Sequence, residues 1–262
     1  MKEIQLPDGV VPLELIVDKL SRERITEDIP GMLGPVDYGY SYRQRGVRLK
    51  FLAHGKDETD KHLLEEQLSA FFDDYDEFLV ARSLVPSRVL RVHVNEVSDP
   101  ERFNVVDSLY TVSGQTMQLP FWTSLYTTKE LNDTGYSALV EKYGLVDGIN
   151  SDNTKYKFTE RNFSVWNAGN VTVEPETMYL KITSTGTNGK LEIRNKTTGQ
   201  IFKVDADFGG DLVIDGMSTQ LKGTNVFRDT NKRYISLASG KNEFEVIGQF
   251  TDITIDFRFY YK

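Results

Sequence analysis

The 262-residue sequence contains no cysteine, which excludes disulfide bonds, thiolate metal sites and cysteine-based catalysis. Only three histidines occur, His54, His62 and His93, and no pair of them has the spacing of a zinc site. Each is therefore expected to be an ordinary surface or strand residue. On this basis the sequence predicts no metal site and no cofactor.

Long apolar runs and an excess of positive charge are also missing. No run approaches the roughly 20 apolar residues of a membrane span, and Met1 to Asp8 contain no apolar signal segment. The formal net charge is -8 and the pI is about 5.1, which argues against a nucleic-acid surface and against docking to anionic membranes. We expect no membrane partner and no sequence-specific nucleic acid; the composition suits folding in a reducing cytoplasm.

Catalytic motifs are the last notable absence. The sequence has no GxSxG, Walker A or HExxH motif, and Asp207-Phe208-Gly209 lacks the other elements of a kinase. With 39 acidic residues, pairs of carboxylates are unavoidable and indicate nothing about glycoside hydrolysis. The acidic run Asp73 to Glu77 does not fit a calcium loop and predicts a solvated turn. We therefore expect a protein that is not an enzyme.

The stretch from Ile29 to Val94 is the most informative part of the chain. It predicts a long strand from Tyr38 to Ala53, in which the aromatic residues are even-numbered before Gly46 and the apolar residues odd-numbered after it. Because side chains alternate between the faces of a strand, this change requires a bulge near Gly46 or two antiparallel strands with a turn around Arg43–Gly46. A helix from about Thr59 to Phe72 follows, with Asp57 or Thr59 as its N-cap.

In this predicted strand three tyrosines alternate with small or polar residues, and a row of cations formed by Arg43, Arg45, Arg48 and Lys50 lies beside them. Tyrosine and arginine are both enriched at protein interfaces, so the pattern favours a surface that contacts another subunit. The alternative is a solvated edge strand that its charges keep soluble. The expected contact residues are Tyr38, Tyr40, Tyr42, Arg43 and Arg45.

The rest of the first domain, 1–124, is predicted to be β-rich. Val10–Val17 is typical of a first strand, and the polar segment Ser21–Asp28 of a loop. Two strands are expected after the helix, near Glu77–Ala81 and Arg88–Val94, and Arg102–Val112 and Gln115–Phe121 form a closing pair joined around Ser113-Gly114. Residues 125–157 are predicted to be a connector rich in turn residues, with a short helix Ser137–Tyr143.

Residues 158–262 contain many short strands separated by turns, which is typical of an antiparallel β-sandwich. The predicted strands are Phe163–Trp166, Met178–Thr183, Lys190–Arg194, Ile201–Val204, Asp211–Ile214, Arg233–Leu237, Glu243–Ile247 and Ile253–Tyr260. The predicted turns include Gly186–Gly189 and Asn195–Gly199. Trp122 and Trp166 could stack on sugars, although Trp166 also fits a position in the core.

Several short segments, in order along nearly the whole chain, resemble one known family. In the N-terminal part they are Ile29-Pro30-Gly31, Val47–Phe51, the helix Leu63–Phe72 and Pro86-Ser87-Arg88 before Val89–Val94. In the C-terminal part they are Asn167–Asn170, Pro175, Ile193–Asn195, Thr198-Gly199, Ile214-Asp215 and Leu237–Asn242. The family is the distal tail proteins of long-tailed, non-contractile phages that infect Gram-positive bacteria.

The resemblance implies a mainly β protein of two domains. The N-terminal domain would be a β-sandwich with one α-helix, similar to tail-tube subunits, and the C-terminal domain a galectin-like antiparallel β-sandwich. It further implies a hexameric ring at the virion tail tip, assembled in the host cytoplasm. Its partners would be the major tail-tube protein, the tail-associated fibre or lysin protein, and receptor-binding or baseplate proteins. The alternative hypothesis is a carbohydrate-binding adhesin that acts through the C-terminal sandwich.

Overall fold

The computed structural model describes residues 4–75, 77–134, 149 and 153–262. They form a mainly β structure with antiparallel sheets, which confirms the predicted fold class. The chain divides into two compact units, one of Met1–Arg82 with Leu90–Pro120 and one of Ser83–Val89 with Phe121–Lys262. The predicted boundaries after residues 124 and 157 remain a prediction, and the predicted helix Ser137–Tyr143 lies outside the described residues.

The described residues of the first unit contain one helix and most of eight strands. The elements are β1 (Val10–Val17), β2 (Arg22–Glu27), β3 (Val36–Tyr42), β4 (Gly46–His54), α1 (Glu58–Asp74), β5 (Glu77–Arg82), β6 (Val85–Val97), β7 (Glu101–Arg102) and β8 (Asp107–Thr116). Its main sheet has the order β1-β4-β8-β6, with β5 paired to β6 and β7 to β8. The strand β6 gives its first residues to the second unit.

The helix α1 covers one face of this sheet. It begins after Asp57, whose side chain accepts a hydrogen bond from the backbone N–H of Asp60 at 2.8 Å, so the predicted N-cap is confirmed. Its buried side chains Leu64, Leu68 and Phe72 pack against the sheet. The sheet residues of this core are Val10, Phe51, Ala53, Tyr110 and Val112. Burial of this apolar stripe fixes the helix on the sheet.

The prediction of one strand from Tyr38 to Ala53 is wrong. The structure explains why the aromatic residues are even-numbered before Gly46 and the apolar residues odd-numbered after it. The segment forms β3 and β4, which lie in different sheets and do not pair with each other. β3 instead pairs with Arg22–Glu27, the segment predicted to be a loop. The sequence pattern missed β2 because all six of its residues are exposed, so neither face has an apolar alternation.

The predicted hairpin around Ser113-Gly114 is also wrong, because both residues lie within the continuous strand β8. A Cβ on Gly114 would lie 2.3 Å from the carbonyl oxygen of His93 on the neighbouring strand β6. Glycine is therefore present because the two backbones approach closely, and it does not mark a turn.

In its described residues, the second unit adds one α-helix and the remaining strands. They are β9 (Trp122–Ser124), α2 (Thr128–Thr134), β10 (Lys157–Phe158), β11 (Asn162–Asn167), β12 (Leu180–Asn195), β13 (Gln200–Val204), β14 (Gly209–Asp215), β15 (Ser218–Leu221), β16 (Thr224–Asn225), β17 (Gly240–Gln249), β18 (Asp252–Phe257) and β19 (Tyr260–Tyr261). Phe121–Ser124 thus group with this unit. Within it, the start of β6 pairs with β9, and β9 pairs with β19.

The long strand β12 organises the second unit. It pairs with β18 and β14 along its first half and with β17 and β13 along its second half. The predicted turn Gly186–Gly189 lies inside β12, where the register with β14 shifts between Ser184 and Thr187. The turn Asn195–Gly199 is confirmed. Arg233–Leu237 is not a strand, since only an isolated bridge joins Leu237 to Val173.

Candidate functional site

The most distinctive surface of the described chain is a two-stranded arm, made of β2, the loop Asp28–Pro35 and β3. It prolongs the β1–β4 ribbon, in which Val17 faces Val47. The backbone N–H of Asp18 donates to the oxygen of Gly46 at 2.9 Å, and that of Arg43 to the oxygen of Ser21 at 3.1 Å. Beyond this point, among the residues that the structure describes, β2 and β3 pair only with each other.

The arm exposes an unusual amount of apolar surface. Every residue from Ser21 to Pro35 is exposed. Leu33, at the tip, has a relative exposure of 111%, and Tyr38 and Tyr40 have 57% and 46%. The other exposed apolar residues of the arm are Ile25, Ile29 and Met32. Contiguous exposed apolar surface of this kind marks interaction sites in proteins.

The charged side chains of the arm are largely paired within it. Arg24 forms an ion pair with Asp37, and Arg43 forms one with Glu23 at 2.9 Å. The hydrogen bond from Arg43 holds the pKa of Glu23 below its ordinary value. The arm therefore offers a partner apolar side chains and unpaired strand edges more than free charge.

Two tyrosines of β3 form an aromatic group with Arg22. The aromatic rings of Tyr40 and Tyr42 are 5.5 Å apart in an edge-to-face arrangement. The guanidinium of Arg22, from β2, lies over Tyr40 at 4.5 Å from the ring centroid. The side chain of Tyr38 donates a hydrogen bond to Glu27 at 3.2 Å. The contacts of Arg22 with Tyr40 and of Tyr38 with Glu27 cross between the two strands.

Arg45, one of the expected contact residues, is buried at the base of the arm, with 7% exposure. Its Nε donates to the carbonyl oxygen of Asp18 at 2.7 Å, and its backbone N–H donates to Oγ1 of the buried Thr116 at 2.9 Å. Burial, followed by the nearby Arg82, lowers the pKa of the guanidinium. Arg45 therefore anchors the arm to the sheet, and its expected role as a contact residue remains a prediction.

The other expected contact residues, Tyr38, Tyr40, Tyr42 and Arg43, all lie on the arm, and their role in subunit contacts remains a prediction. The apolar residues of the tip, Met32 and Leu33, were not among the predicted contact residues. The sequence contains a signal of an exposed apolar turn, because Met32 and Leu33 lie between Gly31 and Gly34 with no polar residue among them. In the structure both glycines have positive φ.

The two tryptophans proposed for sugar stacking lie in the second unit. Trp122 has an exposure of only 7%, and its role in sugar stacking remains a prediction. Trp166 is half-buried in β11, opposite Lys241 of β17. A cavity in this unit, lined by residues such as Phe202, Ile214 and Tyr234, has a volume of about 10 Å³, enough for about one water molecule.

The histidines and carboxylates of the described ranges form pairs but no larger cluster. His54 contacts Asp107 at 2.6 Å, and His62 contacts Glu65 at 2.9 Å. No group of three or more histidine, aspartate or glutamate side chains is arranged to hold a metal in the part of the chain that the structure describes. Within the same residues, no helix combines the length and apolar character needed to cross a membrane.

Comparisons with known proteins point to phage tails. Residues 8–110 match the family of phage tail protein RIFT-related domains. The chain also superposes on the crystal structure of the Dit protein (gp 19.1) of phage SPP1, described as a paradigm of the hub adsorption apparatus in phages that infect Gram-positive bacteria. The TM-score is 0.65 at 16% identity, over 97% of this chain and 95% of that one. This likeness shows a shared fold.

Weaker structural matches and one negative result complete the comparison. A chain of the phage P2 baseplate, in its activated conformation with Ca, matches with a TM-score of 0.43 at 10% identity, over 96% of this chain and 90% of that one. The same baseplate with Sr gives a TM-score of 0.43 at 9% identity, over 95% and 90% of the two chains. Scores this low support no argument. No curated protein sequence matches the chain.

Proposed function

We propose that this chain is a structural hub of a phage tail tip or baseplate. Its residues 8–110 match the family of phage tail protein RIFT-related domains, and its fold is that of a phage distal tail protein. The resemblance to distal tail proteins found in the sequence is confirmed by the family match and the shared fold. The observation that carries the proposal is the exposed arm, a feature that suits self-assembly and has no catalytic use.

The arm supports self-association for an energetic reason. A two-stranded sheet without a covered apolar face is at best marginally stable in water, so β2 and β3 gain stability when another surface covers them. Tyr38, Tyr40, Tyr42 and Arg43 then become contacts between neighbouring copies. We propose that these contacts close a hexameric ring. The match of the N-terminal family over residues 8–110, which include the arm, supports this placement.

The ring joins the tail tube to the host-recognition parts of the virion. Its proposed partners are further copies of itself, the major tail-tube protein, the tail-associated fibre or lysin protein, and receptor-binding or baseplate proteins. The C-terminal unit, whose galectin-like character remains a prediction, holds receptor-binding components. The protein is not an enzyme in this proposal, and it assembles in the host cytoplasm before it occupies the virion tail tip. The hub description of SPP1 Dit supports this assignment.

Native mass spectrometry and negative-stain imaging of the purified protein test the proposal. We expect closed rings for the wild-type chain, alone or with tail-tube protein as a template. The double variant Tyr38→Ala/Tyr40→Ala should weaken the ring, because it removes aromatic surface from the arm. Phe103→Ala is the control, since Phe103 is an exposed aromatic residue of the same unit outside the arm. A strict monomer at high concentration, with tails that assemble without the protein, would reject the proposed function.

A further inference from the structure

We infer that the tip of the arm of one copy docks on an apolar row of the next copy, formed by Val11, Leu52 and Leu109. The three residues lie side by side on β1, β4 and β8, since Val11 faces Leu52 and Leu52 faces Leu109. This inference rests on the proposed ring and names the surface that receives the arm.

The apolar row lies on the face of the sheet opposite to α1. The flanking residues Phe51 and Ala53 of β4 and Tyr110 of β8 point into the core beneath the helix, so Leu52 and Leu109 point the other way. Val11 has an exposure of 50%, and Leu52 and Leu109 are half-buried. Three apolar side chains abreast on a face that the described residues leave partly exposed suit a partner surface.

An arm cannot reach the apolar row of its own copy. It leaves the β1–β4 ribbon beyond the pair Val17 and Val47, whereas Val11 lies six residues before Val17 on β1. At the rise of a β-strand this separation is about 20 Å, and the arm points further away from it. The arm and the apolar row therefore lie at opposite ends of the β1–β4 ribbon. Contacts between two different surfaces of this kind are head-to-tail, and they close into a ring when the rotation per subunit allows it.

The two surfaces also match in chemistry. The tip presents Met32 and Leu33, both exposed. On the uncovered face next to the row, Glu14 pairs with Lys50 at 3.1 Å and Arg48 pairs with Asp18 at 3.3 Å. Because these charges already have partners within the chain, the row favours an apolar occupant, and a second copy supplies one. We expect the contact to depend little on salt, unlike a contact based on charge.

Site-directed crosslinking tests the inference in a chain that has no native cysteine. Two variants, Leu33→Cys at the tip and Val11→Cys in the row, are purified separately, mixed at high concentration and oxidised mildly. The expected product is a covalent heterodimer, in several-fold excess over a control mixture of Leu33→Cys with Leu63→Cys. Leu63 is a suitable control because it is equally exposed, at 52%, but lies on α1. The heterodimer yield should stay similar in high salt.

The outcomes separate this inference from the proposed function. A yield no higher than in the control mixture overturns the inference, and rings of the wild-type chain in native mass spectra would then leave the hub assignment intact. A dominant homodimer of Leu33→Cys alone indicates tip-to-tip contact and also overturns it. Specific heterodimers from a chain that never closes into rings would support the tip-to-row contact and count against the hexamer.

Discussion

The buried Arg45 offers a direct test of how the arm is anchored. Arg45→Ala removes the hydrogen bond from Nε to the carbonyl oxygen of Asp18, which is short at 2.7 Å. A second contact, from Nη1 to the oxygen of Pro120 at 3.5 Å, is at the limit of a hydrogen bond and contributes little. The backbone bond to Thr116 remains, because it does not involve the side chain.

The size of the effect follows from these contacts. A hydrogen bond from a charged group contributes about 1.5–3 kcal/mol to the free energy of unfolding. Removing the guanidinium also relieves the cost of a buried charge near Arg82, which offsets part of the loss. We expect a net destabilisation of about 2 kcal/mol, which corresponds to a fall in Tm of about 4–8 °C for a chain of this length.

Differential scanning calorimetry measures this change, with Arg43→Ala as the matched control. Arg43 is exposed, and water replaces most of its ion pair with Glu23, so its variant should unfold close to the wild-type temperature. Limited proteolysis of the arm should also become faster in Arg45→Ala and not in the control. Equal Tm values for the two variants, or a fully stable Arg45→Met, would refute the idea that this hydrogen bond anchors the arm.

Two further predictions concern the sheet of the first unit. Gly114→Ala should lower Tm by several degrees, because the new Cβ would lie 2.3 Å from the carbonyl oxygen of His93. The control Gly209→Ala should change Tm little, because a Cβ there would meet no atom within 4 Å. Equal changes in Tm, measured by calorimetry, would contradict this prediction. The pKa of Asp107 lies below its ordinary value of 3.8, chiefly because of the hydrogen bond with His54. A lowered folded-state pKa contributes stability above the unfolded-state pKa, and this stability is lost as pH falls through the folded-state pKa. An NMR titration should therefore place the Asp107 midpoint below 3.8, and His54→Ala should raise that midpoint. An unchanged midpoint in the variant would refute the pairing.

Local signals were sufficient for the elements with one buried face. The helix could be predicted because Asp57 is an N-cap and Leu64, Leu68 and Phe72 recur at helical spacing, and the structure extends it only to Glu58–Asp74. The predicted strands Val10–Val17 and Glu77–Ala81 correspond to the observed strands Val10–Val17 and Glu77–Arg82. In these segments the local pattern and the tertiary contacts favour the same structure.

Glycine residues were wrongly predicted to mark turns at positions where distant strands determine the structure. Gly114 and the segment Gly186–Gly189 have the local character of turns, yet both lie within long strands. Their conformation depends on close backbone approach to strands far away in sequence, such as β6 for Gly114. A single sequence contains no record of which strands become neighbours.

The candidate site was only partly accessible from sequence. The tyrosines and Arg43 stood out because residue type alone indicates an interface. Arg45 belongs to the same pattern, but its side chain is buried and donates a hydrogen bond to Asp18. Asp18 lies in the connection between β1 and β2, so the spacing of residues in the sequence does not predict this contact. The tip residues Met32 and Leu33 were overlooked because they lie in a loop, where no periodicity exists to show exposure.

The long strand β12 has a consequence for synthesis on the ribosome. Its neighbours β13 and β14 follow it closely in the chain, but β17 and β18 span Gly240–Gln249 and Asp252–Phe257. While a nascent chain waits for these strands, Ile182 and Ile193 lack partners that bury them in the finished protein. A nascent chain that ends before Gly240 would therefore expose these apolar side chains, and we expect it to be prone to aggregation until β17 and β18 are made.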